Sequence, residues 1–379
     1  MGNDLHKGTF MGKQLVLLGG GHAHMVTLSN INRLRDQGHE VTVVQPDEHH
    51  YYSGMGPGML SRIYAPEEIR FATRQVVEKQ GAGFIQARAV AIQPRERKVR
   101  LDNGRDVAYD VLSCNVGSCV PEIEGQETGV CFSVKPIASL LLAQQRVVQL
   151  AGQGPVRLGV VGGGPAALEV AGNLHRLVQD AGGRQARIKV FAGRKFLSRL
   201  QEPIRRLAAR NFARRGIEVV EQGYVRRLGP NQVELDNGQT FGSDATLLAL
   251  GVRPSSLFGD SGMQTGPDGG LPVNEYLQNP DFPEIFGGGD CIFFQKQPLD
   301  KVGVYAVRQN PILAHNLEAA LNQTRLKAFQ PGGDYLLIYN LGDGTGILHK
   351  GRMTFGGRPA FWIKDWIDRK FMKRFQALE

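Results

Sequence analysis

The sequence predicts an α/β fold with two similar parallel-sheet units, the second inserted within the first, followed by a helical C-terminal region. Two glycine-rich turns follow apolar runs at residues 15–24 and 160–167, and residues 284–291 read Glu-Ile-Phe-Gly-Gly-Gly-Asp-Cys. A single turn of this kind is weakly informative, whereas the ordered set of three is specific. The 379 residues are enough for two or three domains with a large core.

The first turn follows the apolar run at residues 15–18. Residues 19–24 read Gly-Gly-Gly-His-Ala-His, and glycines at such positions let a strand turn tightly into a helix beneath a pyrophosphate. The amide groups and the positive N-terminus of that helix then face the phosphates. We therefore predict that this turn binds a dinucleotide through Gly19, Gly21, His22 and Ala23. Its histidines are expected to donate hydrogen bonds more often than to act as catalysts.

The second turn repeats this construction at residues 158–167. Ala167 stands where close packing of the helix requires a small residue. Each unit also has its own hairpin signal, at residues 102–104 and 236–238, and its own returning strand, at residues 107–113 and 245–251. The two units are therefore predicted to be Rossmann-like dinucleotide-binding domains of similar layout. The binding residues predicted at the second turn are Gly162, Gly164, Pro165 and Ala166.

The C-terminal region predicts a basic amphipathic helix. Apolar residues recur at helical spacing over residues 361–375, and cations such as Lys364 and Lys370 fill the positions between them. Such a helix and the formal charge of +9 suit an anionic membrane surface. Alternatively, the apolar stripe packs on its own domain or on the second subunit of a homodimer. Nucleic acid is not expected as a partner, because no basic-aromatic binding motif accompanies the charge.

The N-terminal residues predict neither a secretory signal nor a spanning helix. Residues 1–12 are polar, and the apolar stretch after them is only one strand long before Gly19. We expect a cytoplasmic protein, either free or peripheral on the inner face of the membrane.

The order of motifs over residues 15–317 resembles the two-dinucleotide-binding-domain flavoproteins of the pyridine nucleotide-disulfide oxidoreductase superfamily. In that family the first turn holds the FAD diphosphate, the second turn holds NAD(P)H, and a late Gly-Asp pair, here Gly289 and Asp290, binds the FAD ribityl chain. The resemblance implies an NAD(P)-binding domain at residues 123–264, inserted in an FAD-binding domain at residues 12–122 and 265–325. Residues 326–379 then form the C-terminal region with the amphipathic helix.

The same resemblance implies further site residues. Residues 301–309 resemble the helix start beside the flavin pyrimidine ring, and Glu169 matches a family acid near the nicotinamide, although an early helical position also suits a solvent-facing side chain. The candidate catalytic residues are Glu169 and Tyr305. The strand ends at residues 113–117 and 248–254 and the flavin helix add Asn115, Gly117, Gly251, Ala306 and Val307 to the cofactor-binding residues.

The local sequence at residues 52–59 resembles type II NADH dehydrogenase-like flavoproteins, including those joined to selenophosphate synthetase. This glycine-rich loop can bring its backbone close to the flavin through Ser53 and Gly54, unless it is a flexible surface loop.

Two positions depart from the family pattern. Gln45 replaces the acid that would bind the adenine ribose, so a weaker or different contact is expected there. The strand at residues 187–191 is not followed by a carboxylate that would repel a 2′-phosphate. It is followed by two cations that could bind one, Arg194 and Lys195. This favours NADPH over NADH, unless the pair is a solvated basic turn and the second site is unused.

The cysteines separate the possible chemistries. Neither residues 23–35 nor residues 165–175 contain the cysteine pair of a disulfide reductase. The four cysteines, Cys114, Cys119, Cys131 and Cys291, lack the spacing of a zinc site, and no metal is expected. Buried inert thiols are favoured over a Cys114–Cys119 disulfide.

The interpretation that follows is an FAD-dependent oxidoreductase that takes hydride from NAD(P)H and passes electrons to a quinone or another small acceptor. Two alternatives stay open: a sulfide- or selenium-handling flavoprotein, similar to sulfide:quinone oxidoreductases, that uses Cys131 or Cys114, and a non-catalytic FAD-binding redox sensor.

Overall fold

The first glycine turn belongs to a five-stranded parallel sheet. The computed structural model describes residues 12–127, 129–183 and 186–379. Residues 15–18 are almost completely buried because helices and loops cover both faces of this sheet. The strands, in spatial order, are Ile285–Gly287, Val111–Cys114, Gln14–Leu18, Glu40–Gln45 and Gly83–Gln86.

The second glycine turn belongs to a second five-stranded parallel sheet. Its strands, in spatial order, are Cys131–Ser133, Ala245–Leu248, Val156–Val161, Ala186–Phe191 and Glu218–Val220. All of them lie, in sequence, between two neighbouring strands of the first sheet, Val111–Cys114 and Ile285–Gly287. The predicted fold class, one unit inserted in another, is therefore confirmed. The limits of the domains stay a prediction.

Small antiparallel sheets flank the two parallel ones. They consist of Ala89–Gln93, Lys98–Leu101 and Asp106–Ala108; of Val225–Gly229, Gln232–Leu235 and Thr240–Gly242; and of the pairs His50–Tyr51 with Arg70–Phe71 and Ser118–Cys119 with Arg253–Pro254. A parallel pair is formed by Leu271–Val273 and Ile292–Phe294. The single strand predicted at residues 107–113 is wrong in extent, because this stretch forms the ends of two strands in different sheets. The chain leaves the small sheet at Tyr109, whose amide donates to the Arg97 carbonyl oxygen, and then enters the large sheet.

Helices connect and cover the sheets. The longer ones are Thr73–Lys79, Ser139–Ala151, Pro165–Asp180, Glu202–Arg215, Gly303–Asn322 and Arg358–Gln376. The shorter helical segments are His22–His24, Met25–Leu28, Ile31–Asp36, Ser53–Met55, Gly56–Leu60, Pro66–Ile69, Leu257–Asp260 and Gly289–Cys291. Within the described ranges, no helix is both long enough and apolar enough to cross a membrane.

The C-terminal region folds back onto both units. Its antiparallel sheet, Leu337–Asn340, Gly346–Lys350 and Met353–Gly357, packs against the helix Pro165–Asp180. The contact requires glycine at Gly172, because an added Cβ atom would lie 2.4 Å from the Leu341 carbonyl oxygen. The helix Arg358–Gln376 then returns to residues 64–71, where the Tyr64 hydroxyl donates to Asp365 over 2.9 Å.

The helix predicted at the C-terminus is present, but its side chains are not divided into a buried apolar face and an exposed cationic face as the pattern predicted. Met372 and Phe375 are buried, whereas Trp362 and Trp366 are 63% and 62% exposed. Lys364, which the pattern assigned to the cationic surface, is only 8% exposed. Its pairing partner Asp368 lies one helical turn away, so a buried ion pair, which hydropathy periodicity does not detect, explains the difference.

Candidate functional site: a flavin and pyridine nucleotide cleft

The first turn has a backbone that only glycine fits. Gly19 has a φ of +84°, and an added Cβ atom would lie 2.4 Å from the Asn115 carbonyl oxygen. A Cβ atom on Gly21 would lie 2.8 Å from Asn115 Nδ2. His24 ties the turn to the sheet, because its two ring nitrogens lie 2.6 Å from the Gly19 carbonyl oxygen and 2.7 Å from Ser113 Oγ. The turn predicted from the sequence is therefore held rigidly beside Asn115.

Gln45 braces this turn from within the protein. Its Oε1 accepts the Gly20 amide over 2.8 Å, and its Nε2 donates to the carbonyl oxygens of Asp47 and His49 over 2.6 and 3.1 Å. The side chain is 5% exposed. In this arrangement the Gln45 amide bonds to the protein backbone, and how the adenosine would be held stays a prediction. Direct binding of a cofactor by Gln45 stays a prediction.

Three buried polar atoms beside the turn have no partner among the described residues: His22 Nε2, Thr73 Oγ1 and Asn115 Nδ2. Thr73 borders Gly20 and Asn115 borders Gly21, so the three surround one place. Buried polar groups in proteins are nearly always hydrogen-bonded. Three unpaired ones around the same place therefore indicate that a ligand completes the site. Donors beside a glycine turn suit a phosphate-containing group, and the residues therefore fit FAD.

Asp290 lies at the end of the cleft in a compact ionic group. Its Oδ2 accepts hydrogen bonds of 2.7 Å from Ser118 Oγ and from Lys135 Nζ, and Lys135 also donates to Ser118 over 2.6 Å. Although burial opposes ionisation, Lys135 and Ser118 hold the pKa of Asp290 below its ordinary value. Lys135 was missed by the sequence reasoning. The signal was a lysine directly after the apolar run at residues 130–134.

The helix Gly303–Asn322 begins beside this group. Gln309 accepts the Gly289 amide over 2.7 Å, which fixes the glycine next to Asp290. Tyr305 lines a small cavity there, and its ring meets Tyr335 edge-on with centroids 5.6 Å apart. Among the other residues predicted here, Ala306 is buried and Val307 is 40% exposed. The predicted flavin-side helix start therefore adjoins Asp290.

The second turn is also specific for glycine, and it is open at one end. Gly162 has a φ of +149°, and an added Cβ atom would lie 2.2 Å from the Ala249 carbonyl oxygen. At Gly164, by contrast, no atom of the described residues lies within 4 Å of the Cβ position, apart from the glycine and its chain neighbours. Pro165 starts the helix here, and no side chain caps it. The N-terminus of this sixteen-residue helix therefore faces open space, as a dinucleotide site requires.

The basic turn after the strand Ala186–Phe191 borders the second glycine turn, because an added Cβ atom on Gly163 would lie 2.6 Å from the Ala192 carbonyl oxygen. Gly193 has a φ of +74°, and the Arg194 guanidinium lies 6.0 Å from the centre of the Tyr224 ring, which is 55% exposed. The strand end at residues 192–195 carries no carboxylate, as the sequence shows, but Glu221 accepts the amide of Phe196 close to it. Glu221 directly follows the neighbouring strand, Glu218–Val220, so a local motif does not include it.

Glu169 is partly buried and faces the C-terminal helix, so the solvent-facing alternative does not apply. Its Oε1 accepts the Asn340 amide over 2.8 Å, and burial raises its pKa to about 7. Lys364 offsets part of this effect. Lys364 Nζ donates to Asp368 over 2.8 Å and to the Gly54 carbonyl oxygen over 2.9 Å. This brings residues from three distant parts of the chain together.

Asp368 also joins the C-terminal helix to the loop that resembled type II NADH dehydrogenases. Its Oδ1 accepts the Tyr52 hydroxyl over 3.0 Å, and burial together with Asp368 raises the pKa of Tyr52 well above its ordinary value. Ser53 and Gly54 lie in a short helical turn, Ser53–Met55, which this contact fixes in place. The flexible-loop alternative is therefore disfavoured.

The thiols are free, and three of the four are buried. Burial raises the pKa of Cys114, and it raises that of Cys291 to about 11. The expectation of buried thiols is wrong for Cys119, which is exposed. Cys119 and Cys131 line one open groove of about 1260 Å³ beside Lys135. Within the described ranges, no cluster of His, Cys, Asp and Glu could hold a metal ion.

Comparison with known proteins agrees with this geometry. The chain is 27% identical over 241 residues to the nitrite reductase (NADH) large subunit of Escherichia coli (strain K12), but spans only 27% of that protein. It is 23% identical over 393 residues to the type II NADH:quinone oxidoreductase of Staphylococcus aureus (strain NCTC 8325 / PS 47), with 94% of each chain covered.

Among solved structures, the sulfide:quinone oxidoreductase of Aquifex aeolicus has a TM-score of 0.80 at 21% identity, covering 97% of this chain and 92% of that one. The NDH2 of Plasmodium falciparum in complex with NADH has a TM-score of 0.79 at 14% identity, covering 96% and 97%. Residues 13–318 match the family described as pyridine nucleotide-disulphide oxidoreductase. This chain therefore belongs to that family.

Proposed function

We propose that the protein is an FAD-dependent oxidoreductase that takes reducing equivalents from NADH or NADPH and passes them to a quinone or another small acceptor. The observation that carries the proposal is the set of unpaired buried polar atoms, His22 Nε2, Thr73 Oγ1 and Asn115 Nδ2, around the first glycine turn. A second, open glycine turn in the inserted unit supplies a place for a second dinucleotide.

The residues that would hold FAD are those of the first turn and of the Asp290 group. Gly19, Gly21 and Ala23 allow the backbone to approach the diphosphate, while Asp290, kept ionised by Lys135, offers a carboxylate to a sugar-alcohol hydroxyl. Bound FAD would supply the two-electron redox chemistry. The protein residues then bind, orient and protect that group.

The residues that would hold the pyridine nucleotide are those of the second turn, with residues 123–264 as the proposed domain. The open helix N-terminus at Gly164 would face the diphosphate. Arg194 favours a 2′-phosphate, whereas Glu221, which contacts this turn at Phe196, favours a ribose hydroxyl. The two groups act in opposite directions, and the preference for NADPH is therefore weaker than the sequence suggested.

Glu169 is the group that would exchange protons with an acceptor. Reduction of a quinone to a hydroquinone consumes two protons, and a carboxyl group with a pKa of about 7 can both hold and release a proton near neutral pH. Lys364 and Asp368, directly behind it, keep the local charge balanced because they form their own ion pair. Tyr305 is proposed to contact the bound flavin from the helix start.

The exposed side of the C-terminal helix is proposed as the surface that meets a membrane. Trp362, Ile363 and Trp366 form an exposed apolar strip, and Lys370 lies 4.9 Å from the Trp366 ring. Tryptophan beside lysine is typical of interfacial anchoring. Peripheral attachment would bring the protein to membrane-dissolved quinones. Flotation with vesicles of anionic lipid, with neutral vesicles as the control, tests this proposal.

The experiment that tests the function is anaerobic titration of the purified protein with NADH and, separately, with NADPH. Rapid bleaching at about 450 nm is expected with at least one of them. A soluble quinone analogue should then restore the absorbance. A Gly164→Ala variant is the matched control, because the added methyl group disturbs no protein contact but faces the nucleotide site. A flavin that stays oxidised with both nucleotides would refute the proposal.

A second candidate is sulfide oxidation, favoured by the groove that Cys119 and Cys131 share. Sulfide would then bleach the flavin where nicotinamides do not, and Cys131→Ser would abolish that reaction.

A further inference from the structure

His22 is a buried side chain with one unused nitrogen. It directly follows Gly21 and is 8% exposed, and no atom in the part of the chain that the structure describes pairs with its Nε2. Thr73 and Asn115, the other two buried residues with unpaired atoms beside the turn, border Gly20 and Gly21. His22 therefore belongs to the incomplete part of the site, and not to the packed core behind it.

The other ring nitrogen of His22 is occupied. His50 Nε2 lies 3.3 Å from His22 Nδ1. Burial lowers the pKa of His22 to about 3 and that of His50 to about 4, so both rings are neutral at neutral pH. A neutral imidazole carries one donor and one acceptor nitrogen. When His50 donates to Nδ1, the proton of His22 must therefore reside on Nε2.

The orientation of the His22 ring is fixed by aromatic neighbours. Phe371 stacks on it with centroids 5.5 Å apart and an interplanar angle of 12°, while Tyr52 and His50 lie at 5.1 and 5.2 Å. Because Nδ1 faces His50, Nε2 is directed away from it. Asp290 is close enough to influence the ionisation of His22, which places the ring within the cofactor cleft.

We propose that His22 donates a hydrogen bond from Nε2 to an acceptor oxygen of bound FAD, and that His50 is a positioning residue that fixes the required tautomer. The inference rests on the proposed function, because it assumes that FAD binds this turn. Two oxygens have the required chemistry, a diphosphate oxygen and a carbonyl oxygen of the flavin ring. Both accept hydrogen bonds, and both would select the Nε2–H tautomer.

The test compares two variants that differ only in reach. The amide nitrogen of glutamine falls near the position of His Nε2, whereas that of asparagine falls near Nδ1. FAD affinity of the FAD-stripped full chain should fall by less than about threefold in His22→Gln and by about tenfold or more in His22→Asn. His50→Phe, which keeps the contact with Phe71, should weaken binding about threefold because the tautomer is no longer fixed.

Titration with ADP distinguishes the two acceptor oxygens. Weaker ADP binding in His22→Asn would assign the hydrogen bond to the diphosphate. Unchanged ADP binding, together with a shifted absorption spectrum of bound FAD, would assign it to the flavin ring. Nitrogen NMR of the histidines in the FAD-bound wild type should show His22 protonated at Nε2, and circular dichroism establishes that each variant is folded.

The outcomes separate this inference from the function on which it rests. If the wild-type chain takes up no FAD, the proposed function fails. If the wild type binds FAD but the glutamine and asparagine variants bind it equally well, or if NMR finds His22 protonated at Nδ1, the inference is overturned while the function stands.

Discussion

Replacing Glu169 by glutamine should remove a pH-dependent loss of stability. The unfolded chain releases the Glu169 proton near its ordinary pKa of 4.5, whereas the folded protein retains it up to a pKa of about 7. Folding therefore binds a proton within this window, and the free energy of unfolding falls as the pH rises through it. The glutamine variant has no such proton and keeps an oxygen that can accept the Asn340 amide.

The magnitude follows from the two pKa values. One pKa unit corresponds to about 1.4 kcal/mol, so between about pH 5 and about pH 8 the single group costs the wild type about 2.5 kcal/mol. Because Glu169 is only partly buried, we expect about 2 kcal/mol. Lys364 does not add to the change. Burial lowers its pKa, but Asp368 and Glu169 together outweigh burial and raise the pKa, so Lys364 stays charged throughout.

The assay is urea unfolding of wild type and Glu169→Gln at the two pH values, with FAD in excess in every sample. The stability of the variant relative to wild type should rise by about 2 kcal/mol from the lower to the higher pH. Other titrating groups, including the buried histidines, are common to both proteins and cancel. Parallel pH dependences for the two proteins would refute the reasoning, because they would mean that Glu169 ionises normally.

Three further predictions concern binding and acid stability. Gly164→Ala should melt like wild type and retain FAD, because the methyl group has open space among the described residues. It should raise the KM for NAD(P)H about tenfold or more, because it faces the proposed nucleotide site, and unchanged kinetics would exclude this turn as the site. Lys135→Met should weaken FAD binding by about 1.5–3 kcal/mol and raise the pKa of Asp290, because the ion pair between them is lost. FAD dissociation measured at several pH values tests both effects. An unaltered FAD dissociation rate would mean that Asp290 does not contact the cofactor. Burial lowers the pKa of His24 from 6.5 to about 4, so the stability that its neutral ring contributes is lost as the pH falls from 6.5 towards 4. The melting temperature of His24→Gln should therefore fall less steeply with decreasing pH than that of wild type. An equally steep fall would contradict this.

Local motifs predicted the framework of the site because the chemistry of a tight turn is contained in a few consecutive residues. The glycines at 19–21 and 162–164, and Asp290 after its glycines, are where the sequence placed them. Lys135 follows the strand Cys131–Ser133 and Glu221 follows the strand Glu218–Val220. Their roles depend on folding, which brings Lys135 to Asp290 and Glu221 to the amide of Phe196.

The C-terminal helix illustrates the same limit of local reasoning. Periodicity identified the helix itself, but its cations look alike in sequence. The i,i+4 ion pair with Asp368 has a counterpart in the pair of Asp365 and Arg369, so it does not single out Lys364. The tertiary contact with the Gly54 carbonyl oxygen distinguishes the buried Lys364 from the exposed cations. Similarly, the role of Gln45 depends on the Gly20 amide, which folding brings next to it from 25 residues away.

The C-terminal helix also provides an intrinsic optical probe. The chain has only two tryptophans, and both Trp362 and Trp366 lie on the exposed side of this helix. The wavelength of tryptophan emission from the native protein therefore reports on the environment of that one surface. Lipid, detergent or a second protein that covers the helix will shift the emission to shorter wavelength, without any label or substitution. The encounter of this face with its surroundings can thus be followed in unmodified protein and in real time.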